Sequence, residues 1–195
     1  MKLCFASNNA HKLQEIRSAV GSAIDIISLY DIGCSEELPE TRDTLEGNSL
    51  QKAEYVFNHF QVPCFADDTG LEVNSLQGAP GVFSARYAGE QKNSADNIEL
   101  LLKNLYRVND RRARFRTVIT LIGLENEPIF FEGIINGRIT GEPRGHSGFG
   151  YDPVFIPEGH DRTFAEMSLR QKNQLSHRAI AVKKLTQYLL KHSRA

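Results

Sequence analysis

The sequence predicts an α/β fold built on a mixed sheet, and three observations carry that prediction. Apolar runs with strand character alternate with 3.6-residue apolar stripes along the whole chain. The chain opens as strand, polar turn, helix. A long β-branched run at 115–124 is followed, across residues 125–128, by a second run at Ile129–Ile139 that reads as its hairpin partner. A hairpin brings antiparallel pairing into the sheet, so an all-parallel sheet is excluded.

The elements follow in order. Residues 2–6 read as a short buried strand, followed by Ser7-Asn8-Asn9. Leu13, Ile16 and Val20 then mark a helix that Gly21 can stop. Residues 25–29 are a second strand, and 33–48 an irregular charged loop. Residues 48–60 form a helix with Leu50, Ala53, Phe57 and Phe60 on one stripe. Residues 63–66 form a strand that ends in Asp67-Asp68-Thr69-Gly70, with a short strand at 71–73. Gly78-Ala79-Pro80-Gly81 is a turn or loop. Ser94 caps a helix carrying Ile98, Leu101, Leu102 and Leu105. After the hairpin come a glycine-rich segment at 141–150 and a strand at 152–156. Ser176 starts a final helix with Ala181, Leu185 and Tyr188 on one face.

Composition narrows the class. The 195 residues, 41% apolar and 24% charged, suit one globular domain over 1–195 and exclude a disordered chain. Twenty-three basic against 24 acidic residues give a net charge of −1, so neither nucleic acid nor a membrane surface is an expected partner. No apolar run approaches the ~18 residues of a membrane helix. The few apolar residues before Ser7 are too short for a signal peptide. Three cysteines without a CxxC pair suit a reducing, cytoplasmic setting.

Five places could carry chemistry. Ser7-Asn8-Asn9-Ala10-His11-Lys12 opens a helix after a strand, where N–H groups and a Lys suit phosphate; the plainer reading is a capped surface helix. Neither GxxxxGK[ST] nor GxGxxG occurs. Asp67-Asp68 can bind a hard cation or accept a proton, with Glu40 and Glu72 as further oxygen donors; an Asx turn is the alternative. Successive strand side chains point to opposite faces, so a given site is reached by one of the two. The histidines lack zinc spacing. Gly145 to Asp152 fails the GxSxG test but suits a loop close to a flat ligand, with Phe149 able to stack. Lys172 and Ser176-His177-Arg178 put cations at a helix start, against the macrodipole. Arg111 to Arg116 reads as a solvated strand face rather than a nucleic-acid patch.

Taken together these segments resemble the Ham1/RdgB family of inosine triphosphate pyrophosphatases. Residues 7–12 resemble its [ST]-x-N-x-x-K, and Glu40-Thr41 with Asn48 and Lys52-Ala53 resemble its E-T…N-A-x-x-K-A. Phe65-Ala66-Asp67-Asp68-Thr69-Gly70-Leu71 resembles its A-D-D-[ST]-G-L. Ala79 to Tyr87 matches A-P-G-x-x-S-A-R-[YF], Gly148 to Phe155 matches G-F-G-Y-D-P-x-F, and Ser176-His177-Arg178 matches S-H-R. Gly47 departs from the pattern, standing where many members carry Glu.

The resemblance implies an elongated mixed sheet with flanking helices, the Ham1/Maf-like ITPase fold. It implies Mg²⁺-dependent cleavage of ITP, dITP and XTP between the α and β phosphates by a homodimer. It implies that Ser7, Asn8, Asn9, Ala10, His11 and Lys12 cradle the triphosphate, and that Asp68 and Glu40 hold the metal. Asp68 is then the catalytic base or stands beside it, with Lys12 as its catalytic partner. Thr69 meets the phosphates and Arg86 lies near the substrate. Phe149, Gly150, Tyr151 and Asp152 form the base pocket, and Lys172, His177 and Arg178 donate to the purine oxygens. Three rivals remain in view: a Maf-like pyrophosphatase for modified pyrimidine or methylated nucleotides, a non-catalytic nucleotide sensor, and a nucleic-acid module built on Arg111 to Arg116.

Overall fold

The computed structural model describes residues 2–21 and 24–192. Along them run β1 (Lys2–Phe5), α1 (Ala10–Val20), β2 (Asp25–Ile27), α2 (Leu45–Phe60), β3 (Cys64–Val73) and β4 (Pro80–Gly81). Then come α3 (Ser94–Asn104), β5 (Arg112–Ile122), β6 (Ile129–Ile139), β7 (Phe155–Pro157), α4 (Leu169–Leu175) and α5 (His177–His192). The strands are ordered β2-β1-β3-β5-β6-β7, with β4 paired to β3. Pairing of β1 with β2 and β3 is parallel, and that of β3 with β4 and β6 with β7 antiparallel. The expected α/β class with a mixed sheet and flanking helices is therefore what the chain adopts.

Two compact units divide the chain. The first takes residues 2–68, 117–133 and 177–192; the second takes 69–116 and 134–176. β3, β5 and β6 each contribute to both units.

In the first unit the period-2 pleat sorts side chains onto two faces. Leu3, Phe5 and Phe65 join Ile16 and Val20 of α1 and Ala181, Leu185 and Leu189 of α5 in one core. Phe5 and Phe65 stack there at 5.0 Å between ring centroids. Cys4, Ala6, Cys64 and Ala66 join Ala53 and Val56 of α2 in the opposite core. The second unit packs Leu71, Val73, Ile98, Leu101, Phe115 and Ile139 around an aromatic trio. Phe155 meets Phe115 edge-on at 4.7 Å and stacks on Phe164 at 5.3 Å.

Four sequence expectations need correction. The stretches at 63–66 and 71–73 are one ten-residue strand, β3, that passes unbroken through Asp67-Asp68-Thr69-Gly70. Gly70 serves close packing there, since a Cβ would stand 2.7 Å from the Gly81 carbonyl oxygen on β4. α2 begins at Leu45, three residues early, because Thr44 caps it by accepting from the Gly47 N–H at 3.0 Å. A Cβ on Gly47 would lie 2.8 Å from Arg42 Cβ, so a larger residue would push the incoming chain aside. The cap of α3 is Asn93 rather than Ser94; its side chain accepts from both Ala95 and Asp96 N–H groups. Residues 152–154 form a short 3-10 turn before β7, and α4, capped by a Ser168–Gln171 box, was not anticipated.

The arginine run behaves as a strand face. Arg112 and Arg114 are exposed while Ala113 and Phe115 are buried. Arg112 pairs with Asp110 at 2.8 Å and Arg114 with Glu72 at 2.6 Å. Among the described residues no helix is long and apolar enough to cross a membrane.

Cys4 and Cys64 are in register on neighbouring strands, and burial pushes both thiols up to about 12. Burial and the Glu36 side chain also raise Cys34. The thiolate is the reactive form, so the native protein at pH 8 is expected to resist Ellman's reagent, and the denatured chain to titrate three thiols. The unfolded chain releases these protons from about pH 8.5 upward, and the folded state holds them until about 12. Stability therefore falls as pH rises across that window, which urea titrations at pH 8 and pH 10 measure. Fast native labelling at pH 8 would contradict the buried placement.

Candidate functional site

The pleat that sorts the two cores also separates the two adjacent carboxylates. Asp67 continues the Phe65 face, towards α1 and α5. Its oxygens accept from Lys12 Nζ and Arg178 Nε, both at 3.1 Å. Arg178 in turn donates to the buried Glu15 of α1. Asp68 continues the Ala66 face, towards α2. There Asn48 Nδ2 donates to Oδ2 at 3.1 Å, and Lys52 Nζ stands 3.8 Å from Oδ1. The Asn48 carbonyl oxygen is taken by the Arg42 N–H at 2.9 Å, which fixes the orientation of the amide. Lys52 Nζ also donates to Glu40 Oε1 at 2.5 Å and to the Asp67 carbonyl at 2.7 Å.

Electrostatics push the two aspartates apart. Burial alone would raise Asp67, but the Lys12, Arg178 and Lys52 charges outweigh it and hold the carboxyl well below the usual carboxylate range. Burial dominates at Asp68 and pushes it up, with Glu40 adding to the rise and Lys52, Lys12 and the Asn48 hydrogen bond opposing it. Burial pushes Lys12 down, helped by Lys52 and Arg178 and resisted by Asp67. Lys52 rises instead, because three carboxylates outweigh its burial. The side chain of Glu40 is 29% exposed, against 10% for Asp68 and 4% for Lys52, so Glu40 is the carboxylate nearest to solvent.

The turn at 7–9 shapes the start of α1. Ser7 Oγ accepts from the Asn9 N–H at 3.2 Å, and Asn9 caps the helix by accepting from the Lys12 N–H at 3.1 Å. Asn8 is committed to the charged loop, donating to the Glu36 carbonyl and accepting from the Leu38 N–H. Ala10 and His11 are exposed. The first turn of α1 carries no acidic residue, which leaves its dipole end open to an anion.

In the second unit Lys172 is buried, with Nζ donating to Asp152 Oδ2 at 2.6 Å. It lies over the Phe149 ring at 5.0 Å and the Phe164 ring at 5.4 Å. The same Asp152 oxygen accepts from the Phe149 N–H at 2.9 Å. Gly148, at φ +76°, has no room for a Cβ beside that carboxylate. Gly150 follows at φ +59°. Tyr151 is buried and donates to the Ser84 carbonyl at 2.9 Å. Ser84 Oγ accepts from the Leu71 N–H at 2.8 Å and donates to the Gly81 carbonyl at 2.6 Å, so the 79–87 motif is stitched onto β3. Thr69 follows on β3, half-buried. Arg86 lies over the Phe83 ring at 5.2 Å.

His177 belongs to the first unit, buried, with Nδ1 2.5 Å from Thr117 Oγ1. So Lys12, Glu40, Asp68 and Arg178 form one charged cluster, and Phe149, Asp152 and Lys172 form another group in the second unit. Glu15, Asn48, Lys52, Thr117 and Phe164 were missed as partners of these residues. Asn48 and Lys52 stood inside a recognised segment and carried a signal. Glu15 had none, because a Glu on a helix face normally reads as solvated.

The donor set of the first cluster fits a hard divalent cation. Asp68 and Glu40 already share one cation, the Lys52 ammonium, so both carboxylates reach a common point. Among the described residues no three His, Cys, Asp or Glu side chains form a closed metal cage. Magnesium needs none, being held by one or two carboxylates together with waters and substrate phosphates.

Comparison with known proteins agrees with this architecture. A model described as the Ham1 family matches residues 3–188. A protein of Porphyromonas gingivalis named dITP/XTP pyrophosphatase is 57% identical over 190 residues, covering 97% of each chain. One of the same name from Christiangramia forsetii is 53% identical over 98% of this chain and 100% of its own. Among solved structures, the Staphylococcus aureus Ham1 protein superposes with a TM-score of 0.88 at 38% identity, covering 98% of this chain and 100% of its own.

Replacing Arg178 with Met would leave the Asp67 and Glu15 carboxylates buried without their shared cation. The expected cost is about 3–5 kcal/mol, read from urea denaturation at pH 7. A loss below about 1 kcal/mol, the worth of an exposed pair, would show that Arg178 is not what neutralises them.

Proposed function

This chain belongs to the Ham1 family, and from that premise we propose that it hydrolyses the deaminated purine nucleoside triphosphates ITP, dITP and XTP to the monophosphate and pyrophosphate. Such an activity clears these nucleotides from the pool. The observation that carries the reading is Asp68: a buried carboxylate held by Asn48, facing Lys52 and Glu40, and one residue from the Asp67–Lys12 pair.

The chemistry assigns each group a task. The oxygen of a water forms the new bond to the α-phosphorus, its proton passes to Asp68, and the bond from that phosphorus to the bridging oxygen breaks. Asn48 occupies Oδ2 of Asp68, which turns Oδ1 towards Lys52. Lys12 and the start of α1 with Ser7, Asn8 and Asn9 receive the negative charge of the leaving pyrophosphate. Asp67 keeps the two lysines in register, taking Lys12 on Oδ1 and Lys52 on its backbone carbonyl. Three cations, Lys12, Lys52 and Arg178, face four carboxylates, Glu15, Glu40, Asp67 and Asp68, so the cluster alone carries an excess of one negative charge when all are ionised. Mg²⁺ on Asp68 and Glu40 would reverse that excess and offset the charge of the phosphates. Thr69 extends the same strand with a hydroxyl for the phosphates, and the family resemblance assigns Arg86 to the substrate as well.

Base selection rests on the C6 oxygen, which hypoxanthine and xanthine carry where adenine has an amino group. Lys172 and His177 are the leading donors; Arg178 already gives two of its nitrogens to Asp67 and Glu15. Phe149, half-buried in the loop to Asp152, provides a ring face for stacking. A site built on such a hydrogen bond rejects the analogue lacking it by about 10⁴ or more. A homodimer in the cytoplasm completes the reading. The exposed Phe83, Tyr106 and Phe130 supply apolar surface, and the buried free thiols suit a reducing compartment.

Incubation with Mg²⁺ and, separately, ITP, XTP, GTP and ATP is expected to release pyrophosphate from ITP and XTP alone, and EDTA to abolish it. No release from any of them would discard the substrate assignment. Asp68→Asn is expected to lower turnover by about 10²–10⁴-fold with an unchanged melting temperature. Near-normal turnover would remove Asp68 from the reaction, and binding without turnover by the unaltered chain would favour a sensor.

A further inference from the structure

The second unit holds an open depression of about 860 Å³ whose lining includes Arg111, Arg112, Arg138 and Arg144. None of these has a role in the reading above, and two belong to the basic run singled out in the sequence. Their states differ. Arg111 is spent on backbone carbonyls, donating to Ile139 at 2.8 Å, Leu105 at 3.1 Å and Thr140 at 2.5 Å. Arg112 is neutralised by Asp110 through two hydrogen bonds. Arg138, exposed on β6, makes no hydrogen bond or ion pair through its guanidinium among the described residues. Arg144 donates one terminal nitrogen to the Asp161 carbonyl at 3.1 Å and stands 3.7 Å from Glu166, but its buried Nε–H has no acceptor.

A buried donor on a charged group is costly to leave unmet, and native proteins rarely do so without a water or ion to accept from it. The Arg144 side chain is 38% exposed, so it can turn outward. An anion that turns it gains a hydrogen bond the side chain now lacks. Guanidinium groups match the planar, multi-oxygen geometry of a phosphoryl group better than any other side chain. Glu142 and Asp161 also line the depression and Glu166 stands beside Arg144, so with Asp110 four carboxylates balance four guanidiniums, and the guanidinium left uncommitted among the described residues is Arg138. A locally balanced site with one uncommitted guanidinium suits a single phosphate rather than a polyanion, and the chain's net charge of −1 gives a nucleic-acid backbone no wider attraction. The volume is that of a small-molecule site.

We propose that this depression is a second anion site, which takes a phosphate group, free or carried by a nucleoside monophosphate, on Arg138 and Arg144. The proposal is independent of the hydrolytic reading. Its test follows the Arg144 Nε–H resonance of the ¹⁵N-arginine-labelled full chain during titration with inorganic phosphate, IMP, chloride at matched ionic strength, and a short DNA duplex. Phosphate and IMP are expected to move the signal saturably, and chloride is not. Equal affinities for the two would mean that the phosphate alone is read; tighter IMP binding would mean that the nucleoside is read as well. Arg138→Ala, at an exposed position, is expected to weaken the binding about tenfold, as the loss of one charged hydrogen bond does. Lys12→Ala, in the other unit, is expected to leave it unchanged. An unmoved resonance, a response abolished by Lys12→Ala, or a salt-sensitive response to DNA alone would each overturn the proposal.

Discussion

Two carboxylates buried side by side in the middle of a strand must be neutralised, and the first unit is arranged around that requirement. An unpaired buried charge costs several kcal/mol. β3 carries Asp67 and Asp68 on opposite faces, so each face must bring its own cations. Asp67 draws Lys12 from α1 and Arg178 from α5, and Arg178 then also satisfies Glu15 of α1. Asp68 draws Asn48 and Lys52 from α2. The three helices that pack apolar stripes against the sheet are thus also fixed by charge at one end. Apolar packing alone would tolerate a small slide of a helix along its groove; a buried ion pair with 3.1 Å contacts does not.

The same requirement explains why the sequence was legible in some places and opaque in others. The apolar periodicities located most helices and strands, because Ile16, Val20, Ala53 and Leu185 face cores whose spacing a single chain reveals. They failed at β3, where Asp67-Asp68-Thr69-Gly70 has the composition of a turn. What keeps those residues in a strand is Lys12, 55 positions away, and Arg178, 111 positions away. No local pattern contains that information. α2 began early for a smaller version of the same reason: Thr44 looked like part of a charged loop until its hydroxyl met the Gly47 N–H.

The candidate site divides in the same way. Lys12, Glu40 and Asp68 could be named from residue type and order along the chain, since they lie in segments whose spelling resembles a known family. The partners of Arg178 and His177 could not, as Glu15 and Thr117 belong to no such segment. They count only because a helix face and a strand face bring them to Arg178 and His177. Arg178 shows the converse. Its place in Ser176-His177-Arg178 suggested a purine donor, yet the fold first uses it as the counter-ion of two buried acids.

Adjacent aspartates are chemically identical in sequence, and the fold makes them different. Asp67 is held ionised by the cations packed on its face, so it offers little basicity to a water and is fixed as a counter-charge. Asp68, with burial as its largest influence and an amide rather than a guanidinium on Oδ2, retains a greater affinity for a proton. Environments that push two neighbouring carboxyls in opposite directions are how proteins separate a structural charge from a working base. Lys52 links the two by donating to the Asp67 carbonyl while it faces Asp68 and Glu40. A shift of β3 by one residue would exchange the faces, carrying Asp67 to α2 and Asp68 to α1 and α5, so neither carboxylate would keep the partners that set its charge. The register of a single strand therefore decides at once which helices are held and which carboxylate is left to react.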